Sequence, residues 1–316
     1  MANKVLKTAV GSSAAFTAAC YLVFYEVMER DSVIPQLANK IMKNNRPAGA
    51  AQLRPEDNDE RKIWFNNQKP EIHSIRSDAG NNLKGYLYKP ENPSKVFVFG
   101  SHGYRSNRGE FRLMTKYYHD KGYNVFLVEH QAAGRSEGKY IGFGYHEYKD
   151  CLKWLDYLIK TYGDDIEIIL HGVSMGSATV MLMSGYAFLP KNVKFTVADC
   201  GYTSAWSEFE HNLKSMGVLK YPVLYGSNFF NKRINGYDFK DADALYAVKN
   251  ARVPMLFIHG SKDDFVPTYM GVDLYNACNA PYKDFLLVEG AAHAESFKVD
   301  SEDYEAKINE FIEKFI

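Results

Sequence analysis

Ser174 stands between Gly172 and Gly176 in the stretch HGVSMG, with the apolar run IEIIL before it and SATVMLMSGYA after it. A serine hydroxyl is a poor nucleophile until a base takes its proton, and that base needs a carboxylate to orient it. A glycine on each side removes the Cβ atoms that a sharp strand-to-helix turn would crush. A serine that merely capped a helix would ask nothing more of the chain. An activated serine needs partners, and the chain supplies them in order. HGSKDDFVP carries Asp263 and Asp264, and GAAHAES carries His293, each just after an apolar run. Ser174 is therefore expected as nucleophile, His293 as base and then acid, and Asp263 or its neighbour Asp264 as the group that holds the imidazole. The acyl-transfer intermediate also needs oxyanion donors. The backbone N–H groups of Met175 and of Tyr104, in SHGY, are the expected pair.

These residues need a frame that brings strand ends together. EIHSIRS and LKGYLYK alternate around DAGNN and read as a hairpin. KVFVFGS, NVFLVEH, IEIILHG, KFTVADC, VPMLFIHG and KDFLLVEG read as buried strands. Between them lie helical patterns at 110–123, 145–163, 174–187 and 267–279, and DSEDYEAKINEFIEKFI closes the chain. Strand and helix alternate, so the fold class is α/β: a mostly parallel central sheet with helices on both faces. In such sheets ligands sit beyond the carboxyl ends of the strands, where Ser174, Asp263 and His293 fall.

The three strand-end stretches in register resemble the α/β-hydrolase superfamily over residues 70–316. HGYRSN, GVSMGS and HGSKDDFVP are more narrowly similar to BEM46-like and serine aminopeptidase-like membrane-anchored bacterial hydrolases. The resemblance implies a serine hydrolase with its acid four residues before Pro267, which favours Asp263 over Asp264. It also implies a cap inserted at 203–250. That stretch is short and aromatic, so Trp206 and Phe230, with Tyr104, are expected to contact substrate. His102, His171 and His259 are read as loop-supporting, Asp199 as a loop-supporting carboxylate and Tyr202 as a packed tyrosine, while His211 competes with His293 but does not follow the last strand.

Composition bounds the partners. The 316 residues carry 38 basic and 38 acidic side chains, so no electrostatic footprint points to nucleic acid. Cys20, Cys151, Cys200 and Cys278 form no CxxC or Cys/His cluster, so neither a metal nor a disulfide framework is expected, and no organic cofactor. Residues 8–25 carry no charge, follow Lys4 and Lys7, and precede Glu26, Glu29 and Arg30. Three readings of residues 1–28 stand: a signal anchor, a cleaved signal or lipoprotein segment, and a packing helix. The first implies attachment to the cell membrane with the catalytic domain outside the cytoplasm. Residues 29–70, with four prolines, read as a linker with short helices, and 71–316 as the catalytic domain. The expected substrate is a small or medium carboxylic ester. A short peptide is the alternative, and a non-catalytic binding protein on the same scaffold is the alternative of another class.

Overall fold

The computed structural model describes residues 2–32, 59–215 and 220–316. Of the linker expected at 29–70, residues 33–58 lie outside them. Eight strands form one sheet: β1 (Glu71–Arg76), β2 (Asn82–Tyr88), β3 (Val96–Ser101), β4 (Asn124–Glu129), β5 (Glu167–Val173), β6 (Val193–Asp199), β7 (Met255–Gly260) and β8 (Lys283–Val288). Their order is β1-β2-β4-β3-β5-β6-β7-β8. β1 and β2 pair antiparallel, as the DAGNN turn requires, and β2 joins β4 antiparallel. From β4 onward every pairing is parallel.

The central strands are apolar on both sides because both faces are covered. Along β3, Val96 and Val98 enter one core layer, while Phe97 and Phe99 enter the other. The first layer is closed by α2 (Glu60–Asn67), α3 (Arg112–Asp120) and α11 (Ser301–Phe315), through Phe65, Tyr118 and Tyr304 among others. The second is closed by α4 (Tyr145–Tyr162) and α5 (Met175–Ser184), through Trp154, Leu158 and Met183. α3 starts two residues later than the periodicity suggests, because Arg108–Phe111 forms a 3-10 turn. Towards the end of the chain, α9 (Thr268–Ala277) and the short α10 (Ser296–Val299) follow β7 and β8.

The stretch expected as a cap folds into α6 (Ala205–Ser215), α7 (Lys220–Ile234), a 3-10 turn at Phe239–Asp241 and α8 (Ala244–Val248). The N-terminal helix α1 (Ala2–Met28) lies against α7. Cys20, Phe24 and Met28 recur every fourth residue and are buried, which makes one helical stripe. The contact is close: a Cβ added at Gly226 would come within 2.4 Å of the Cys20 sulfur. The Ser227 hydroxyl donates to the Cys20 carbonyl at 3.2 Å.

The last carbonyls of a helix have no intrahelical donor. In α1 the catalytic domain supplies the donors. Tyr104 Oη donates to Val27 O at 2.6 Å and Ile141 N to Met28 O at 2.7 Å. The Arg105 guanidinium reaches Glu26 O, Glu29 O and Ser32 Oγ, placing a cation at the negative end of the helix dipole. Among the described residues no helix is long and apolar enough to cross a membrane.

Candidate active site

β5 ends at Val173 and α5 begins at Met175, so Ser174 alone makes the turn. Its backbone sits at φ 57°, ψ −118°, a conformation that side chains rarely adopt. Neighbouring structure holds it there. Ser174 N donates to Asp199 O at 2.9 Å, tying the turn to the end of β6. A Cβ at Gly172 would lie 2.2 Å from Gly176 O, and one at Gly176 only 1.8 Å from Ser101 O. Both are backbone atoms that cannot swing away, so both glycines are sterically required.

The three expected residues meet. His293 Nε2 lies 2.8 Å from Ser174 Oγ, and His293 Nδ1 lies 2.7 Å from Asp263 Oδ2. Asp263 is pinned from its other oxygen: Oδ1 accepts from Phe265 N at 3.1 Å and Val266 N at 2.9 Å. That leaves Oδ2 aimed at the imidazole. Asp264, the competing carboxylate, is exposed. Burial alone would raise the Asp263 pKa, but the adjoining His293 and His259 rings outweigh it and hold the carboxyl well below its usual range. Burial alone would lower the His293 pKa, but the Asp263 carboxylate outweighs it and raises the ring well above the ordinary imidazole value. The arrangement can accept the Ser174 proton and stabilise the resulting imidazolium.

Among the described residues, the backbone N–H groups of Tyr104 and Met175 have no acceptor. Met175 N–H is the first of the orphan donors at the start of α5, where the helix dipole favours negative charge. Tyr104 is the residue after Gly103, and a Cβ at Gly103 would lie 3.2 Å from the Ser174 Cβ. Both donors are therefore available beside the serine.

The other expected contacts fall further out. The Tyr104 ring packs on Phe143 at 4.9 Å while its hydroxyl is committed to α1. Trp206 packs on Tyr225 at 5.0 Å, with the Lys240 ammonium 4.5 Å from its ring centre. Phe230 packs on Tyr21 at 5.1 Å, in the seam between α1 and α7. The loop histidines are structural in their geometry. His102 Nε2 accepts from His130 N while Nδ1 donates to Gly103 O, and burial lowers the His102 pKa to about 4. His259 Nε2 donates to Val266 O. His171 lies between Tyr118 and Tyr304, and Tyr304 donates onward to Asp199.

Several groups around His293 carried no sequence signal. Glu208 on α6 is buried, feels the charge of His293, and is pushed by burial up to about 8. Its Oε1 accepts from Asn212 Nδ2 at 2.8 Å, whereas Oε2 is buried without a partner among the described residues. Glu110 Oε2 accepts from Gly103 N at 2.6 Å, and burial raises this carboxyl to about 7. Cys200, at the end of β6, has its thiol pushed by burial up to about 12. Its sulfur lies with ligand atoms of Asp263 and His293 inside 4.8 Å. Those atoms could surround a metal only by breaking the Asp263–His293 bond. A carboxylate on a helix face reads as solvated surface until the fold shows what covers it, which is why Glu208 and Glu110 stayed unseen.

A serine on a strained strand-to-helix turn, a histidine and a carboxylate after later strands, and a mostly parallel sheet beneath define an α/β hydrolase. The chain belongs to the prolyl oligopeptidase family, whose pattern matches residues 110–316 and so spans Ser174, Asp263 and His293. Uncharacterized protein YqkD of Bacillus subtilis is 30% identical over 244 residues, which is 76% of this chain and 78% of that protein. Uncharacterized protein YfhR of Escherichia coli O157:H7 is 20% identical over 225 residues, 69% of this chain and 71% of that one. Among solved structures, an esterase of Pyrococcus furiosus superposes with TM-score 0.64 at 21% identity, over 78% of this chain and 91% of that one. An acylaminoacyl peptidase of Pyrococcus horikoshii superposes with TM-score 0.57 at 18% identity, over 81% of this chain and 43% of that one. At such identities the structural likeness speaks for the fold.

Proposed function

We propose that this hydrolase cleaves small or medium carboxylic esters through an acyl-Ser174 intermediate. The observation that carries the reading is the continuous relay Ser174–His293–Asp263, beside two unpaired backbone N–H groups. Ser174 Oγ attacks the ester carbonyl as His293 Nε2 takes its proton, and the carbonyl oxygen becomes the oxyanion held by Tyr104 N–H and Met175 N–H. Collapse expels the alcohol, which receives that proton from His293. Water then attacks the acyl carbon as His293 takes its proton, and His293 returns that proton to Ser174 Oγ as the C–Oγ bond breaks and the acid leaves.

The test is fluorophosphonate labelling of wild type and Ser174→Ala, read by intact mass. Labelling of the wild type alone supports an activated serine. Absence of labelling in both would leave the non-catalytic binding reading in its place. Turnover of p-nitrophenyl esters but not of aminoacyl-arylamides would then support ester cleavage.

Amide hydrolysis on short peptides is the second reading, and Glu208 favours it. A buried carboxylate oxygen with no partner, inside the field of His293, is suited to a substrate ammonium. Preference for free-amine over N-acylated substrates, lost in Glu208→Gln, would put this reading first.

Membrane attachment stays a proposal for the part of α1 before Cys20, because the later stripe is buried against the cap. Release of the protein from membranes by alkaline carbonate would count against an anchor.

A further inference from the structure

An apolar pocket of about 90 Å³, partly open at its mouth, lies between the last turns of α1 and the cap. Val23, Phe24 and Met28 form one wall, and Phe209, Leu213 and Leu224 the other. The few polar groups on its lining are already engaged. Ser227 Oγ donates to Cys20 O, and the Asn212 amide donates to Glu208. What remains facing the space is hydrocarbon. Protein interiors are otherwise close-packed, and an apolar void costs stability in proportion to its volume. A retained apolar pocket therefore suits an apolar ligand.

The pocket connects to the catalytic residues through Tyr104. Phe209, in its wall, packs on Phe143 at 4.5 Å, and Phe143 packs on Tyr104 at 4.9 Å. Tyr104 also bonds directly to α1 through Val27 O. Tyr104 N–H is the donor proposed for the acyl oxygen, whereas the leaving group must face His293. The acyl chain is the substituent that does not leave, so a pocket reached from the Tyr104 side rather than through His293 is suited to it.

We infer that α1 and the cap together form the acyl-binding pocket, that its occupant is an unbranched hydrocarbon acyl chain, and that α1 residues set the chain length accepted. This rests on the serine-hydrolase reading above. It makes the N-terminal helix part of the substrate site as well as part of the fold.

The experiment measures the rate at which Ser174 is labelled by p-nitrophenyl alkylphosphonates, from ethyl to dodecyl, by intact mass. It compares the full chain with Val23→Phe, which narrows the pocket from α1, and Leu213→Ala, which widens it from the cap. Each buried methylene gains roughly four-fold in binding. The wild-type rate should therefore climb with chain length until the pocket is full. Val23→Phe should move that break to shorter chains and lower the octyl-to-ethyl ratio by about ten-fold, the contribution of one or two methylenes. Leu213→Ala should move the break to longer chains. General damage to the fold cannot shift the two variants in opposite directions, and thermal melts of both record any loss of stability.

Three outcomes would overturn the proposal. Variant profiles parallel to the wild type would show that the pocket does not hold the acyl chain. Sensitivity to the alkoxy chain instead of the alkyl chain would assign the pocket to the alcohol. No labelling by any reagent would remove the serine-hydrolase reading itself, a failure distinguishable from the first two.

Discussion

The floor of the site and its roof are built by different rules. The floor is made of strand ends. Ser174, Asp263 and His293 each follow a strand of one sheet, Asp199 ends one, and short backbone bonds such as Ser174 N to Asp199 O hold them. The roof is made of helices distant in sequence: Cys20 on α1 meets Pro222 and Ser227 on α7 across 202 and 207 residues. The floor is held by rigid backbone geometry, so its chemistry tolerates almost no change. The roof is held by apolar packing, so its shape can change while the chemistry persists. Reaction type resides in the first and substrate choice in the second.

That division is broken most sharply from the floor. Ser174→Ala should lower kcat for any turned-over ester by a factor on the order of 10⁶, with folding unaffected, as checked by a thermal melt beside the kinetics. Asp263→Asn should cost about 10⁴, because Asn can no longer hold His293 in the right tautomer or stabilise its charge. If Asp263→Asn costs less than tenfold, the carboxylate is not the orienting group, and Asp264 must be tested.

The seam between the two regions runs through Arg105. Its guanidinium binds Glu26 O, Glu29 O and Ser32 Oγ, and its neighbour Tyr104 carries a proposed oxyanion donor. Arg105→Met removes the donor to Glu29 O, which costs about 1–3 kcal/mol when buried, while Ser32 Oγ still donates to Glu26 O. Both Tm and kcat should fall, the latter by roughly 10-fold if Tyr104 N–H drifts from the oxyanion, since complete loss of one donor costs 10²–10³. A fall in Tm with unchanged kcat would mean that roof and floor are energetically separate.

Within the roof, Gly226→Val tests whether close approach of α1 matters. The added side chain meets the Cys20 sulfur, and overpacking of this kind costs about 1–3 kcal/mol. The expected readout is a lower Tm and altered acyl-chain preference, with short-ester turnover changed far less than in Arg105→Met.

The same contrast decides what could be read from sequence. The floor was legible because its signals are local: a glycine-flanked serine between two apolar runs, then an Asp and a His directly after strands. Parallel sheet order follows from alternating elements, and the structure has it. The roof was legible only in outline. The uncharged run 8–25 admits an anchor, a cleaved signal or a packing helix, and the recurrence of Cys20, Phe24 and Met28 at helical spacing is the mark of the last. Nothing local says that the stripe meets Gly226. Trp206 and Phe230 were chosen as aromatic and near the site, but pairing among cap and α1 side chains is set by tertiary packing. Phe230 is spent in the α1–α7 seam, while Val23 and Leu213 line the pocket.

The smallest effect links roof to floor through charge. His293 must be neutral to take the Ser174 proton, so kcat/KM should fall as pH drops through its pKa. Asp263 raises that pKa above the ordinary 6.5 or so, and Cys200 also faces the ring. Glu208, Glu110 and Asp199 lie within its field, raised by burial to about 8, 7 and 6. Each ionises as pH rises, and each anion favours the imidazolium. Glu208→Gln removes one such anion, so His293 should lose its proton more readily and the acid limb should move to lower pH. With the charge partly protonated in that range, a shift of a few tenths of a pH unit is about what one such neighbour gives. The other two carboxyls remain, so the limb should keep its shape. A shift to higher pH would mean that Glu208 acts on His293 through packing rather than charge, and an unchanged limb would place its carboxylate out of electrical contact with the site.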